Sequence, residues 1–193
     1  ARKDINNVTC LLCLGKSNSK GSTPALIKSR TSIMDHFWKT IMDMPHFGEN
    51  NAKSNTLLAQ PVVLKALAKL CYDLYFGHTS IQNVEHYKKL ITSLKNNDIN
   101  FSHNEEMWTG LFIETNEERA QKFPGMEKYV FVPNETNLDA GIHDKTNNWI
   151  RFGNRHNDIF PRLGDIIRWK LNLDPRPSVT KAIKEHSEEK SDG

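Results

Sequence analysis

The sequence lacks the features that would assign the protein to a secreted or membrane class. Its 193 residues contain no uninterrupted apolar run of about 18 residues, so no transmembrane helix is predicted. It has 3 cysteines, an odd number that does not suit a disulfide framework, and no signal-peptide pattern precedes them. A reducing, cytoplasmic location is therefore expected. The formal net charge of +3 is too small by itself to indicate a nucleic-acid partner.

Complete metal-binding and nucleotide-binding motifs are also missing. Cys10 and Cys13 have the spacing of two zinc ligands, but the second pair of ligands is absent, so buried structural cysteines are expected and their role stays open. Gly15-Lys16-Ser17 resembles the end of a phosphate-binding loop, but Cys10 stands where that loop needs a glycine. No metal site and no cofactor are predicted.

Acid–base residues remain as an alternative. His143 with Asp144, and His156 with Asp158, have side chains that can carry out general acid–base chemistry, as in a metal-dependent nuclease. Each pair is equally typical of a surface or a helix cap. A non-catalytic domain is expected, and the enzyme reading stays open beside it.

The chain does contain one strongly apolar helical segment, and the fold is predicted around it. Between Val62 and Phe76 the only charged residues are Lys65, Lys69 and Asp73, which are spaced by four and form one narrow stripe on a helix. Pro61 suits the first helical turn and Gly77 suits the end. The sequence therefore predicts a central buried helix over about 61–76.

Further helices and one β ribbon complete the predicted fold. Apolar residues at helical spacing predict helices over about 31–44 and 80–95, and a last helix that opens at Pro161. A brief helix is expected near Trp108. The β-prone runs at 111–115 and 128–133 predict a small antiparallel ribbon over about 111–133. The predicted class is mainly α, a single helical domain with this ribbon.

The two ends are predicted to lie outside that domain. Residues 1–30 indicate a flexible lead-in with a short apolar strand at Val8–Leu14, and 174–193 indicate a disordered, charged tail. The run Val8–Leu14 could equally be the remnant of a strand or helix, because seven residues do not settle the period. The helical domain is therefore expected over 31–173. Because the chain opens on Ala1, we expect it to be a piece of a longer protein.

Charge is distributed unevenly along the chain. From Asp98 to Glu127 there are seven acidic residues against two basic ones, whereas Lys145 to Lys181 has eight basic against three acidic. Arginines interleaved with aromatic residues are typical of a surface that contacts a phosphate backbone. An ordinary solvated face, with arginines paired to carboxylates, is the alternative. The candidate DNA-binding residues are Lys145, Arg151, Arg155, Arg162, Arg168 and Lys170.

Several landmarks resemble, in their order, the C-terminal portion of the DndB family of regulators of bacterial DNA phosphorothioate modification. They are Phe37-Trp38, Pro45-His46-Phe47, Val63–Leu67, Leu90, Leu94, Asp98-Ile99-Asn100, Trp108-Thr109-Gly110, a short β run after Gly110 and a closing helix through Leu163–Leu173. The resemblance covers about 31–173. The chain lacks the family's Asp-Gly-Gln-His-Arg motif, as a C-terminal piece would.

The resemblance implies a non-catalytic, DNA-associated regulatory or accessory domain of a bacterial defence system. Its partners would be DNA, the remainder of a longer DndB-like protein or other modification proteins, and no membrane. Trp108 and Gly110 are carried over as motif positions only. A protein-interaction or oligomerisation module is the alternative from another class.

Overall fold

Helices make up most of this chain, and its described strands form one two-stranded antiparallel sheet. The computed structural model describes residues 2–77, 81–131, 139–153 and 155–191. The predicted class, mainly α with a small antiparallel ribbon, is confirmed. The chain divides into two compact units, 1–103 and 104–193, and the expected domain over 31–173 spans their boundary. Within the described ranges, no helix has the length and apolar character that a membrane span requires.

The first unit is helical throughout its regular elements. A short 3-10 helix at Leu57–Ala59 precedes its longest helix, α5. The α-helices of this unit are α1 (Arg2–Leu14), α2 (Pro24–Ser29), α3 (Thr31–Met42), α4 (Ala52–Asn55), α5 (Pro61–Phe76) and α6 (Ile81–Lys95).

The predicted central helix is confirmed as α5. It packs against α1, α6 and the 3-10 helix, and its buried side chains cover most of its circumference. Its polar stripe is ion-paired, because Lys65 lies 3.5 Å from Asp4 of α1 and Lys69 lies 2.6 Å from Asp73. Pro61 occupies the first turn, where its missing N–H leaves no acceptor unpaired.

The strand predicted at Val8–Leu14 is wrong, because these residues belong to α1. Val8, Leu11 and Leu12 are all buried, and their spacing of three and four residues is helical. Seven residues taken alone were too few to reveal that period. Gly15 ends α1 in the left-handed conformation, with φ of 69°, and a Cβ there would lie 2.4 Å from the Tyr72 ring.

The second unit combines short helices with the sheet. Its 3-10 helices are Glu106–Phe112 and Met126–Lys128. Its other elements are α7 (Asn116–Lys122), β1 (Gly141–Asp144), β2 (Trp149–Phe152), α8 (His156–Lys170) and α9 (Pro177–Ser191). The pairing runs from Gly141 opposite Phe152 to Asp144 opposite Trp149.

The predicted position of the ribbon, 111–133, is wrong. The ribbon lies at 141–152, in a stretch predicted to be loop, and 116–122 is helical. The β-prone run at 111–115 is instead divided between the 3-10 helix at Glu106–Phe112 and the cap of α7, where the Thr115 side chain accepts a hydrogen bond from the Glu118 amide. Residues 132–138, which include the end of the predicted ribbon, lie outside the described residues.

The predictions for the last two helices also need correction. Helix α8 begins at His156, so Pro161 lies inside it rather than at its start. The amides of Asp158 and Ile159 already bond to the Arg155 carbonyl one turn before the proline. The tail predicted to be disordered from 174 is helical as α9, where the i,i+4 pairs Lys181–Glu185 and Lys184–Glu188 support it.

Candidate functional site

Two of the predicted DNA-binding cations lie on the hairpin that β1, β2 and the turn between them form. Lys145 is in the turn between β1 and β2, and Arg151 is on β2 opposite Ile142. Both side chains are exposed. Asp144 fixes the turn by accepting hydrogen bonds from the amides of Thr146 and Asn147 at 3.0 and 3.1 Å. This hydrogen-bonded turn leaves Lys145 exposed to solvent.

Helix α8 carries an alternating stripe of charge instead of a basic face. Arg155, Asp158, Arg162 and Asp165 are spaced by three and four residues, so they lie on one side of the helix. Arg155, the residue just before the helix, is exposed, and its Nε lies 3.3 Å from a carboxylate oxygen of Asp158. Arg162 is half-buried, and both carboxylates act on it electrostatically. These two arginines therefore have acidic neighbours inside the protein.

The buried end of that stripe is an ion pair. Arg176 donates from Nε and NH2 to the two oxygens of Asp165, at 2.6 and 2.7 Å. Arg168 is buried and donates to the carbonyl of Asp174 at 2.9 Å. Burial raises the pKa of Asp165, while the bonds from Arg176 and the charge of Arg168 oppose that rise. Arg168, predicted as a DNA-binding residue, is therefore buried and bonded within the second unit.

The sequence did not single out a fully buried arginine in this unit. Arg119 of α7 is 1% exposed and donates to the carbonyls of Gly110 and Ile113 and to the side chain of Asn116. Burial, together with the charge of Arg162, lowers the pKa of Arg119 to about 10. It ties α7 to the preceding 3-10 segment.

The two motif positions of the resemblance are also buried. Trp108 is fully buried, and Gly110 lies against Met126, whose Sδ would be 2.5 Å from a Cβ placed there. The Gly110 carbonyl accepts the bond from Arg119 Nε at 3.0 Å. Burial in the core accounts for the large apolar side chain at Trp108, and the close approach of Met126 accounts for a residue without Cβ at Gly110.

Three of the side chains considered for acid–base chemistry, Asp144, Asp158 and His143, contact neighbouring residues of the second unit. Asp144 is engaged in its turn, and Asp158 pairs with Arg155. His143 packs against Phe112, with ring centroids 5.7 Å apart, and burial together with Lys145 lowers its pKa. Across the described ranges, no group of three or more His, Cys, Asp or Glu side chains is arranged to hold a metal ion.

The cysteines are free thiols. Burial raises the pKa of Cys10, Cys13 and Cys71, so each is a thiol rather than a thiolate at neutral pH. Cys13 and Cys71 are buried, in keeping with the structural role expected for Cys13.

Charge differs strongly between the two units. Residues 1–103 carry 13 Lys and Arg against 7 Asp and Glu, a net of +6. Residues 104–193 carry 13 against 16, a net of −3. The first unit also brings His36 and Lys39 of α3 close to Lys95 of α6, a cluster that the sequence pattern does not reveal because 59 residues separate His36 from Lys95.

A cleft of about 290 Å³ is also present in the first unit. It opens between the loop after α3 and the segment after α6, and its lining combines amide and hydroxyl side chains with apolar ones and one histidine. The left-handed residues His46 and Asn97 both line it, with φ of 63° and 58°. The other lining residues are Met44, Pro45, Asn55, Thr56, Leu58, Ile99, Asn100, Phe101 and Ser102.

Comparison of the chain with protein-family models, with curated proteins and with solved structures found no match.

Proposed function

We propose that this chain is a non-catalytic, DNA-associated accessory domain of a DndB-like bacterial DNA-modification system. The DndB-like part of this proposal rests on the order of the sequence landmarks described above. The DNA-binding part rests on exposed cations in the second unit. The proposed phosphate contacts are Lys145, Arg151 and Lys170.

The observation that carries the proposal is the environment of these three side chains. All three are exposed, and none of them forms an ion pair with a carboxylate in the ranges that the structure describes. An arginine or lysine without an internal counter-charge retains its full attraction for a phosphate backbone. Arg155 and Arg162 have acidic neighbours and Arg168 is buried, so they are left out of the proposed surface.

A charge-reversal experiment tests the proposal. Affinity for a fluorescent duplex is measured by anisotropy for the wild type and for Lys145→Glu/Arg151→Glu. We expect a loss of at least about tenfold, because two phosphate contacts become repulsive. The matched control is Lys181→Glu/Lys184→Glu, which changes net charge equally on α9, where both lysines are exposed and paired with glutamates. Equal losses for both double variants would contradict a specific hairpin surface.

A protein-interaction role is the second candidate, and Ile142 favours it. This side chain is 56% exposed and lies opposite Arg151 in the sheet, so the hairpin presents an apolar group beside a cation. The substitution Ile142→Ser separates the two functions. If Ile142 lies in a protein interface, the variant should form less of the complex that size-exclusion chromatography with light scattering detects. Its affinity for DNA should change by less than about twofold.

A further inference from the structure

The charged cluster on α3 and α6 has a defined hydrogen-bond arrangement. His36 Nε2 lies 3.2 Å from the Nζ of Lys95, and His36 Nδ1 lies 3.2 Å from the hydroxyl of Tyr87. The rings of His36 and Tyr87 also meet edge to face, with centroids 6.2 Å apart. The imidazole is therefore held between a buried phenol and an exposed ammonium group.

The chemistry of lysine fixes the protonation of this imidazole. An ammonium group has only donors, so Lys95 donates and Nε2 of His36 must accept. The ring is then neutral, and its proton lies on Nδ1, which donates to the Tyr87 oxygen. A positive His36 would have to break its bond with Lys95.

The charged groups that shift the pKa of His36 are both positive. Lys39 lies one helical turn further along α3, and burial, Lys95 and Lys39 in that order lower the pKa of His36. Tyr87 is neutral, because burial keeps its pKa far above the physiological range. Asp35 precedes His36, but about 100° of helical rotation separates the two side chains. In the described part of the chain, no ion pair joins a carboxylate to Lys39 or Lys95.

We propose that His36, Lys39 and Lys95 form a binding site for a phosphate group, either free phosphate or a phosphodiester of nucleic acid. On binding, both lysines donate hydrogen bonds to phosphate oxygens and Lys95 releases Nε2 of His36. The freed Nε2 takes up a proton from solvent, keeps it, and donates a hydrogen bond to a third oxygen. Three charge-assisted donors on one oxyanion suit its tetrahedral arrangement of oxygens. The site lies in the first unit, whose net charge is +6, and it does not depend on the hairpin cations.

The test follows the titration of His36 by NMR of the full chain. Inorganic phosphate is compared with chloride at equal ionic strength, and His46, which lies 3.1 Å from Glu49 in the same unit, is the internal control. We expect phosphate to raise the pKa of His36 by roughly half a unit or more, because it stabilises the protonated ring. An equal pKa in both salts would mean screening alone and would overturn the site.

Variants and a second ligand complete the experiment. Lys39→Gln and Lys95→Gln should each weaken phosphate binding by about tenfold, because each removes one charge-assisted bond. Lys53→Gln, at an exposed lysine of the same unit, should leave binding unchanged. A short DNA duplex is titrated in parallel. A response to DNA supports the phosphodiester source, a response to phosphate alone supports free phosphate, and no response to either refutes the proposal.

Discussion

Arg176 and Asp165 form a two-pronged ion pair, with N–O distances of 2.6 and 2.7 Å. The carboxylate is 2% exposed and lies on α8, whereas the arginine lies just before α9. The pair therefore ties the connection between the two helices to the buried side of α8. The Asp165 carboxylate is almost completely removed from water. The folded state is therefore stable only while positive partners lie next to this carboxylate.

We predict that Arg176→Ala lowers the free energy of unfolding by about 3 kcal/mol, because it leaves a buried carboxylate without its main partner. Urea denaturation monitored by circular dichroism measures this change. The control is Arg155→Ala, which removes an exposed pair with Asp158 and should cost less than about 1 kcal/mol. Similar costs for the two variants would contradict a special role for the buried pair.

The contact between Gly110 and Met126 gives a second prediction. Gly110→Ala should destabilise the protein by about 1–3 kcal/mol, because its new Cβ would lie 2.5 Å from the buried Met126 sulfur. Met126→Ala should cost about 2–5 kcal/mol by leaving a cavity. The double variant should cost less than the sum of both, since each change relieves the defect of the other. Strict additivity would show that the two sites do not interact.

The pKa of His36 gives a third prediction, with a defined sign. Burial and the two lysines hold this pKa below its ordinary value of 6.5, so the unfolded chain binds the proton first as pH falls. The stabilising contribution of His36 is complete above about pH 6.5 and decreases below it. In phosphate-free buffer, the wild type should lose up to about 1 kcal/mol more than His36→Gln between pH 7.5 and 5.5. The effect stays small because His36 is only partly buried. Parallel losses would refute this assignment.

The elements that the sequence predicted well were those with their own start, period and stop. Helix α5 has Pro61 at its first turn and a long apolar period before Gly77, so its position followed from local signals alone. Helices α3 and α6 were recognised for similar reasons. By contrast, the strand predicted at Val8–Leu14 was too short to show a period, and its helical form is stabilised by packing against α5.

The errors in the second unit have a different origin. The β-prone residues of 111–115 form no strand, because the 3-10 helix at Glu106–Phe112 and the Thr115 cap include part of them. The observed hairpin instead depends on a turn at Asp144 within a polar stretch. The burial of Arg168 depends on tertiary contacts, which the pattern of apolar residues along the sequence does not reveal. The same holds for the approach of Lys95 to His36, 59 residues apart.

The salt dependence of DNA binding tests the proposed function most directly. Affinity for a duplex is measured by anisotropy between about 50 and 200 mM salt. With three phosphate contacts, at Lys145, Arg151 and Lys170, counterion release predicts a loss on the order of 40-fold over this range. Absence of binding at the low end, or an affinity that does not change with salt, would contradict a DNA-associated role.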